Sequence, residues 1–146
     1  MPVKKNVPVV PSREGIPPPT LEHRSRDYAH RPCPECRKSC YRNTRSRRRL
    51  HDIGDLKSGR PHEIEVVMSQ HRCHPCGIYF NASTQDLAPA GSHYTHRVIS
   101  LAVQLVVEDG LPYQAASWNL WRDHRVFVPF ATIQNWVEAA GKKKSP

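Results

Sequence analysis

The chain lacks the segments that send a protein to or through a membrane. Behind Met1 there is no apolar run of the kind that forms a leader core, and nowhere do the roughly 20 apolar residues of a membrane span occur together. A cytosolic location, nucleoid-associated in a bacterium, is the expectation. Also missing are a glycine-rich phosphate loop, an HExxH pair and a nucleophile elbow, and the seven glycines are scattered. None of the nine histidines stands at a telling spacing from an acid or a nucleophile, so they read as surface or phosphate-contacting residues. The sequence supplies no active site. Apolar residues are short as well, 38% of 146 against fourteen prolines, so the core must be modest and part of the chain left unpacked. That length holds one ordinary domain or two small ones.

Acids are the second shortage. Thirteen Asp and Glu face twenty-two Lys and Arg, for a formal net charge of +9. The excess is concentrated between Arg24 and Arg49, where ten basic residues meet only Asp27 and Glu35. Such a field attracts polyanions. Acidic lipid is the weaker partner, because no amphipathic apolar face accompanies the charge. A solvated basic surface kept for solubility is the bland alternative.

Cysteine is sparse but ordered: Cys33 and Cys36 form one CxxC, Cys73 and Cys76 a second, and Cys40 stands apart. In a reducing cytosol such thiols act as metal ligands or reactive groups rather than disulfide partners. Two CxxC turns supply the four soft donors of a tetrahedral Zn²⁺ site, and a closed four-cysteine shell is structural rather than hydrolytic. A redox CxxC would open a helix within a βαβ pattern, which is missing here, and the spacing does not follow ferredoxin runs. Cys40 is then a spare thiol, packed or half-exposed on the following strand. His74 lies inside the second knuckle and could replace a cysteine in a distorted site, but two matched pairs make that unnecessary.

The chain divides into four stretches. Residues 1–30, with prolines at 8, 11, 17, 18 and 19 and no hydrophobic period, read as a disordered arm. Residues 31–88 read as a β-rich four-cysteine zinc ribbon of short strands; Ile64, Val66 and Met68 alternate with Glu63, Glu65, Val67 and Ser69 along one of them, after a turn bounded by Gly54, Gly59 and Pro61. Residues 92–141 read as an all-α three-helix, helix-turn-helix-like module. In its first helix Thr95 is the candidate N-cap, Val98, Leu101, Ala102 and Leu105 share a face, and Gly110 is the stop. Pro112 opens the second, whose Ala115, Ala116 and Leu120 can face the first. Ile133, Trp136, Val137 and Ala140 form the stripe of the third, which ends at Gly141, and residues 142–146 are a basic tail.

If the third helix enters a major groove, its apolar stripe leaves Thr132, Gln134, Asn135 and Glu138 outward; Thr132, Gln134 and Asn135 are the candidate base contacts, Gln and Asn being able to bond adenine bidentately. Arg45, Arg47, Arg48 and Arg49, with Arg42 and Lys38, are the candidate phosphate contacts. The connection from Arg122 to Phe130 is longer than the usual turn of that motif.

At this point "CPEC", "HRCHPCGIYF", "GLPYQAA" and "ATIQNWV" together resemble the N-terminal region of bacterial insertion-sequence transposases, a zinc ribbon followed by a helix-turn-helix. The resemblance spans Cys33 to Gly141 and implies sequence-specific binding of double-stranded DNA at terminal inverted repeats, with Zn²⁺ as cofactor. In that family a separate RNase-H-like domain with three acidic residues and Mg²⁺ cuts and joins strands. Here nothing follows Pro146 and the acids form no two-metal pattern, so the expectation is a protein that binds without catalysis and takes no small-molecule substrate. A homodimer is admitted. The alternatives are an RNA-binding or ribosome-associated zinc ribbon, with Tyr28, Tyr41 and Tyr79 to stack on bases, and a standalone transcriptional regulator; an adaptor using the proline-rich arm and a redox enzyme stand further back.

Overall fold

The computed structural model describes residues 17–144. A mixed sheet is followed by three helices. The strands are β1 (Thr20–Arg26), β2 (His30–Pro32), β3 (Ser39–Asp55), β4 (Arg60–Cys73) and β5 (Ile78–Asn81), and the helices are α1 (His96–Val107), α2 (Tyr113–His124) and α3 (Phe130–Lys144). The sheet runs β1-β4-β3-β2, with β5 also on β4. Long antiparallel β3 and β4 form its spine, from Arg42 opposite His71 to Asp55 opposite Arg60.

The alternation expected around Ile64 is seen in β4. Ile64, Val66 and Met68 are buried with Leu50 and Ala88 under the 82–92 segment. Parity also sorts the arginines of β3. Register puts Arg48 and Leu50 opposite Val66 and Ile64 on this inner face, and Arg47 and Arg49 opposite Val67 and Glu65 on the outer one.

Two expectations about element limits are corrected. The arm assigned to residues 1–30 gives way to strand by Thr20: β1 runs parallel to β4, Thr20 opposite His62 through Arg26 opposite Met68, and β2 follows at His30. The polar sequence of β1 carries no apolar period because its backbone finds a ready edge and its side chains stay half in water. Residues 1–16 of the arm lie outside the described residues. At the other end α3 does not stop at Gly141 but reaches Lys144, since Gly141 lies in ordinary helix rather than closing it, so residues 142–144 of the expected tail are helical. Residues 145–146 lie outside the described residues.

The helices pack as their sequence period requires. Val98, Ala102 and Leu105 of α1, Ala116 and Leu120 of α2, and Ile133 of α3 share one core with Val126 and Val128 of the α2–α3 connection. Ile53 of β3 packs into that core. The sheet and the helices are therefore joined, and three features make the seam. Thr95 occupies the N-cap of α1, yet its hydroxyl does not cap; it donates to buried Asp52 Oδ1 at 2.8 Å. Arg97 also bonds Asp52, with Nε 3.2 Å from Oδ1. Burial raises the Asp52 pKa, but Arg97, Thr95 and the Ile53 N–H outweigh it and hold it below the usual carboxylate value. Beside it Gly54 admits the helical module closely: a Cβ there would stand 2.6 Å from Arg125 Cβ and 2.8 Å from Arg60 O. Among the described residues no helix is long and apolar enough to cross a membrane.

Candidate metal centre and basic surface

The two CxxC segments turn the chain at one end of the sheet, the first between β2 and β3, the second between β4 and β5. They close alike. Arg37 N–H donates to Cys33 O at 2.9 Å, and Gly77 N–H donates to Cys73 O at 2.8 Å. The residue after each second cysteine is left-handed, Arg37 at φ 65° and Gly77 at φ 68°. Glycine takes that conformation without strain; arginine does not.

Long β3 and β4 set the two turns side by side. The four Sγ atoms lie within 4.8 Å of one another, Cys33 to Cys76 at 3.9 Å and Cys36 to Cys73 at 3.5 Å. Cys33 and Cys73 are buried, Cys76 is half-buried and Cys36 is exposed. All are free thiols at separations far beyond a disulfide bond. The Cys36 backbone N–H leads the influences that bring Cys33 down to about 7, against burial and with help from Glu35 N–H. Hydrogen bonds from Cys36 and then Cys73 drive Cys76 the other way, far above a normal thiol. A divalent cation among these sulfurs would favour their thiolate forms. This cluster could hold a metal ion.

Cys40 lies outside that group. Its buried thiol donates to Lys38 O at 3.3 Å and packs with Cys33, Cys73, Ile78 and Phe80. His71, expected with the other histidines to be a surface or phosphate-contacting residue, is fully buried. Its Nε2 meets Ser69 Oγ at 2.7 Å, its Nδ1 meets Cys40 O at 3.0 Å, and its ring stacks on Phe80. The period along β4 would have placed it outward. The buried side of the strand changes between Met68 and Ser69, where the chain leaving β1 covers the other face: Tyr28 N–H donates to Ser69 Oγ, and Ser69 Oγ donates to Arg26 O.

No protein-family model, curated protein or solved structure matches this chain.

The candidate phosphate contacts separate into two groups. Arg42 and Arg45 bond Asp27, at 3.0 and 2.7 Å; Arg45 leads in holding the Asp27 pKa down. Arg47 pairs with Glu65, and Arg49 with Glu63 and Glu65. All four remain exposed, as does Lys38. Arg48 goes inward instead, donating to Thr84 Oγ1 and Pro89 O, each at 2.6 Å, and to Ser92 O. It ties the 84–92 segment to the sheet. Among the candidate base contacts, Asn135 is exposed on α3, whereas Thr132 and Gln134 are half-buried. Thr132 lines a groove beside Ile99 and Trp136, and Gln134 Nε2 donates to Glu138 Oε1 at 3.1 Å.

Proposed function

We propose that the chain is a sequence-specific binder of double-stranded DNA that acts without catalysis, organised by Zn²⁺. The observation that carries the zinc reading is the thiol geometry. Four thiolates about 2.3 Å from a tetrahedral zinc would stand about 3.8 Å apart, close to the 3.5 and 3.9 Å separations of the opposed pairs. Cys33, Cys36, Cys73 and Cys76 would hold the ion. It would supply structure, since four protein ligands leave no open position.

The helix pair supports the DNA reading. α2 and α3 share a core with α1, and α3 presents Asn135 to solvent while Ile133 anchors it. Asn135 is accordingly the leading base contact, with Gln134 able to leave Glu138 and join it, and Thr132 nearer the edge. Exposed Arg42, Arg45, Arg47, Arg49 and Lys38 would contact backbone phosphates. Their ion pairs do not oppose this, because an exposed pair is worth about 0–1 kcal/mol and a phosphate can replace the carboxylate. The resemblance to transposase N-terminal regions makes terminal inverted repeats the expected targets, and a standalone regulator would use the same surface.

The test is selection of bound duplexes from a random pool, then titration across a salt series. Arg47→Ala should weaken binding to every sequence and reduce the salt slope by about one unit. Asn135→Ala should relax base choice at one or two positions and leave the slope alone. Failure to enrich any sequence, with duplex affinity indifferent to both changes, would remove the reading.

A further inference from the structure

The face of the sheet opposite His71 carries a pattern that the duplex reading does not use. At the metal end four strands lie side by side, β2-β3-β4-β5. Register pairs His30 with Tyr41 across β2 and β3, and Arg72 with Tyr79 across β4 and β5. Since Arg42 is opposite His71, the preceding Tyr41 and the following Arg72 share the other face. A row results: His30, Tyr41, Arg72, Tyr79.

Contacts confirm each step. The rings of His30 and Tyr41 are 4.4 Å apart, Tyr41 and Arg72 line one cleft, and the Arg72 guanidinium sits 5.3 Å from the Tyr79 ring centre. The tyrosines are not packing residues, for Tyr41 is 75% and Tyr79 56% exposed. Two strand spacings, about 10 Å, separate them. The cleft beside Tyr41, about 310 Å³, is lined by Lys38, Arg42, Asn43, Arg72 and His74 with no carboxylate. Tyr28 does not belong to this surface. Its ring lies under Arg31, which is paired with Cys40 and so falls on the opposite face.

We propose that this row is a platform for unpaired nucleic-acid bases: a single-stranded segment stacks bases on Tyr41 and Tyr79 and sets its phosphates against Lys38 and Arg72. Exposed aromatic rings supply stacking that every base can use, and neighbouring cations supply the backbone contact. An apolar protein partner would leave the cations unpaired, and duplex DNA has its bases already stacked. The platform shares Lys38 with the duplex reading, but its stacking residues Tyr41 and Tyr79 and its Arg72 are its own.

The test uses the full chain, with metal content measured for each variant as the check on folding. Labelled ten-residue oligo-dT and oligo-U are titrated at low salt and followed by fluorescence anisotropy. Tyr41→Ala and Tyr79→Ala should each weaken binding about tenfold, whereas Tyr41→Phe and Tyr79→Phe, which keep the ring, should stay within about twofold. Comparing the two oligomers shows whether the sugar is read, and for either one it is the loss on removing the rings that supports the platform. Asn135→Ala should leave these affinities unchanged, which separates this result from the fate of the duplex reading. Wild-type binding no tighter than that of the double alanine variant, or phenylalanine costing as much as alanine, would overturn the proposal.

Discussion

Arg47 and Arg48 are neighbours of one residue type with opposite duties. Arg48 satisfies a hydroxyl and two carbonyl oxygens on the inner face, while Arg47 stands in water beside Glu65. Arg48→Ala should therefore cost about 1–3 kcal/mol by leaving those acceptors unpaired. Arg47→Ala should stay within about 0.5 kcal/mol. Urea unfolding of the two variants distinguishes them, and equal midpoints would refute the division. Gly77 makes a second residue-level case, because its φ of 68° closes the second knuckle. Gly77→Ala is expected to lower stability by about 1–2 kcal/mol, read from the same transition.

Between elements the seam of β3 with α1 and α2 carries the coupling. Asp52 is a buried acceptor for Thr95 and Arg97, with its pKa held below the ordinary value of about 3.9. A carboxyl depressed in the folded state stabilises above its unfolded pKa, and that contribution fades as pH falls through the depressed value. Asp52→Asn should be less stable than wild type by about 1–2 kcal/mol at pH 7, with the gap closing below about pH 4. A gap that stayed constant with pH would mean that the charge does not matter. Gly54→Ala should separate the same seam sterically, since its new methyl would strike Arg125 Cβ and Arg60 O; a loss of about 1–3 kcal/mol is expected, and an unchanged melting temperature would show that the seam yields.

For the whole molecule, the thiol cluster and the helical core are separate groups of buried residues. The structural zinc proposed for the cluster would contribute on the order of 10 kcal/mol in apparent terms, far more than a small sheet end can replace. Chelation should abolish ordered packing around Cys33 and Cys73 while the helix signal in circular dichroism largely persists, held by Val98, Leu120 and Ile133. If the cluster holds one zinc as proposed, Cys73→Ser should lower the metal content and Cys40→Ser should leave it intact. Simultaneous loss of the helices with the metal would show one cooperative unit instead of two coupled ones.

The sequence alone determined whatever depends on local chemistry or short periods. The paired CxxC spacing identified the four clustered thiols, the period of two placed Ile64, Val66 and Met68 inside, and the helical stripes selected Val98, Ala102, Leu105, Leu120 and Ile133. Tertiary structure decided what depends on a distant partner. Polar β1 became a strand because β4 offered an edge, and His71 was buried because Phe80, Cys40 and the chain after β1 closed over it. Arg48 turned from its arginine neighbours because strand parity faced it toward Thr84 and Pro89. The row from His30 to Tyr79 likewise joins residues nearly fifty positions apart, which only the pairing of four strands brings onto one surface.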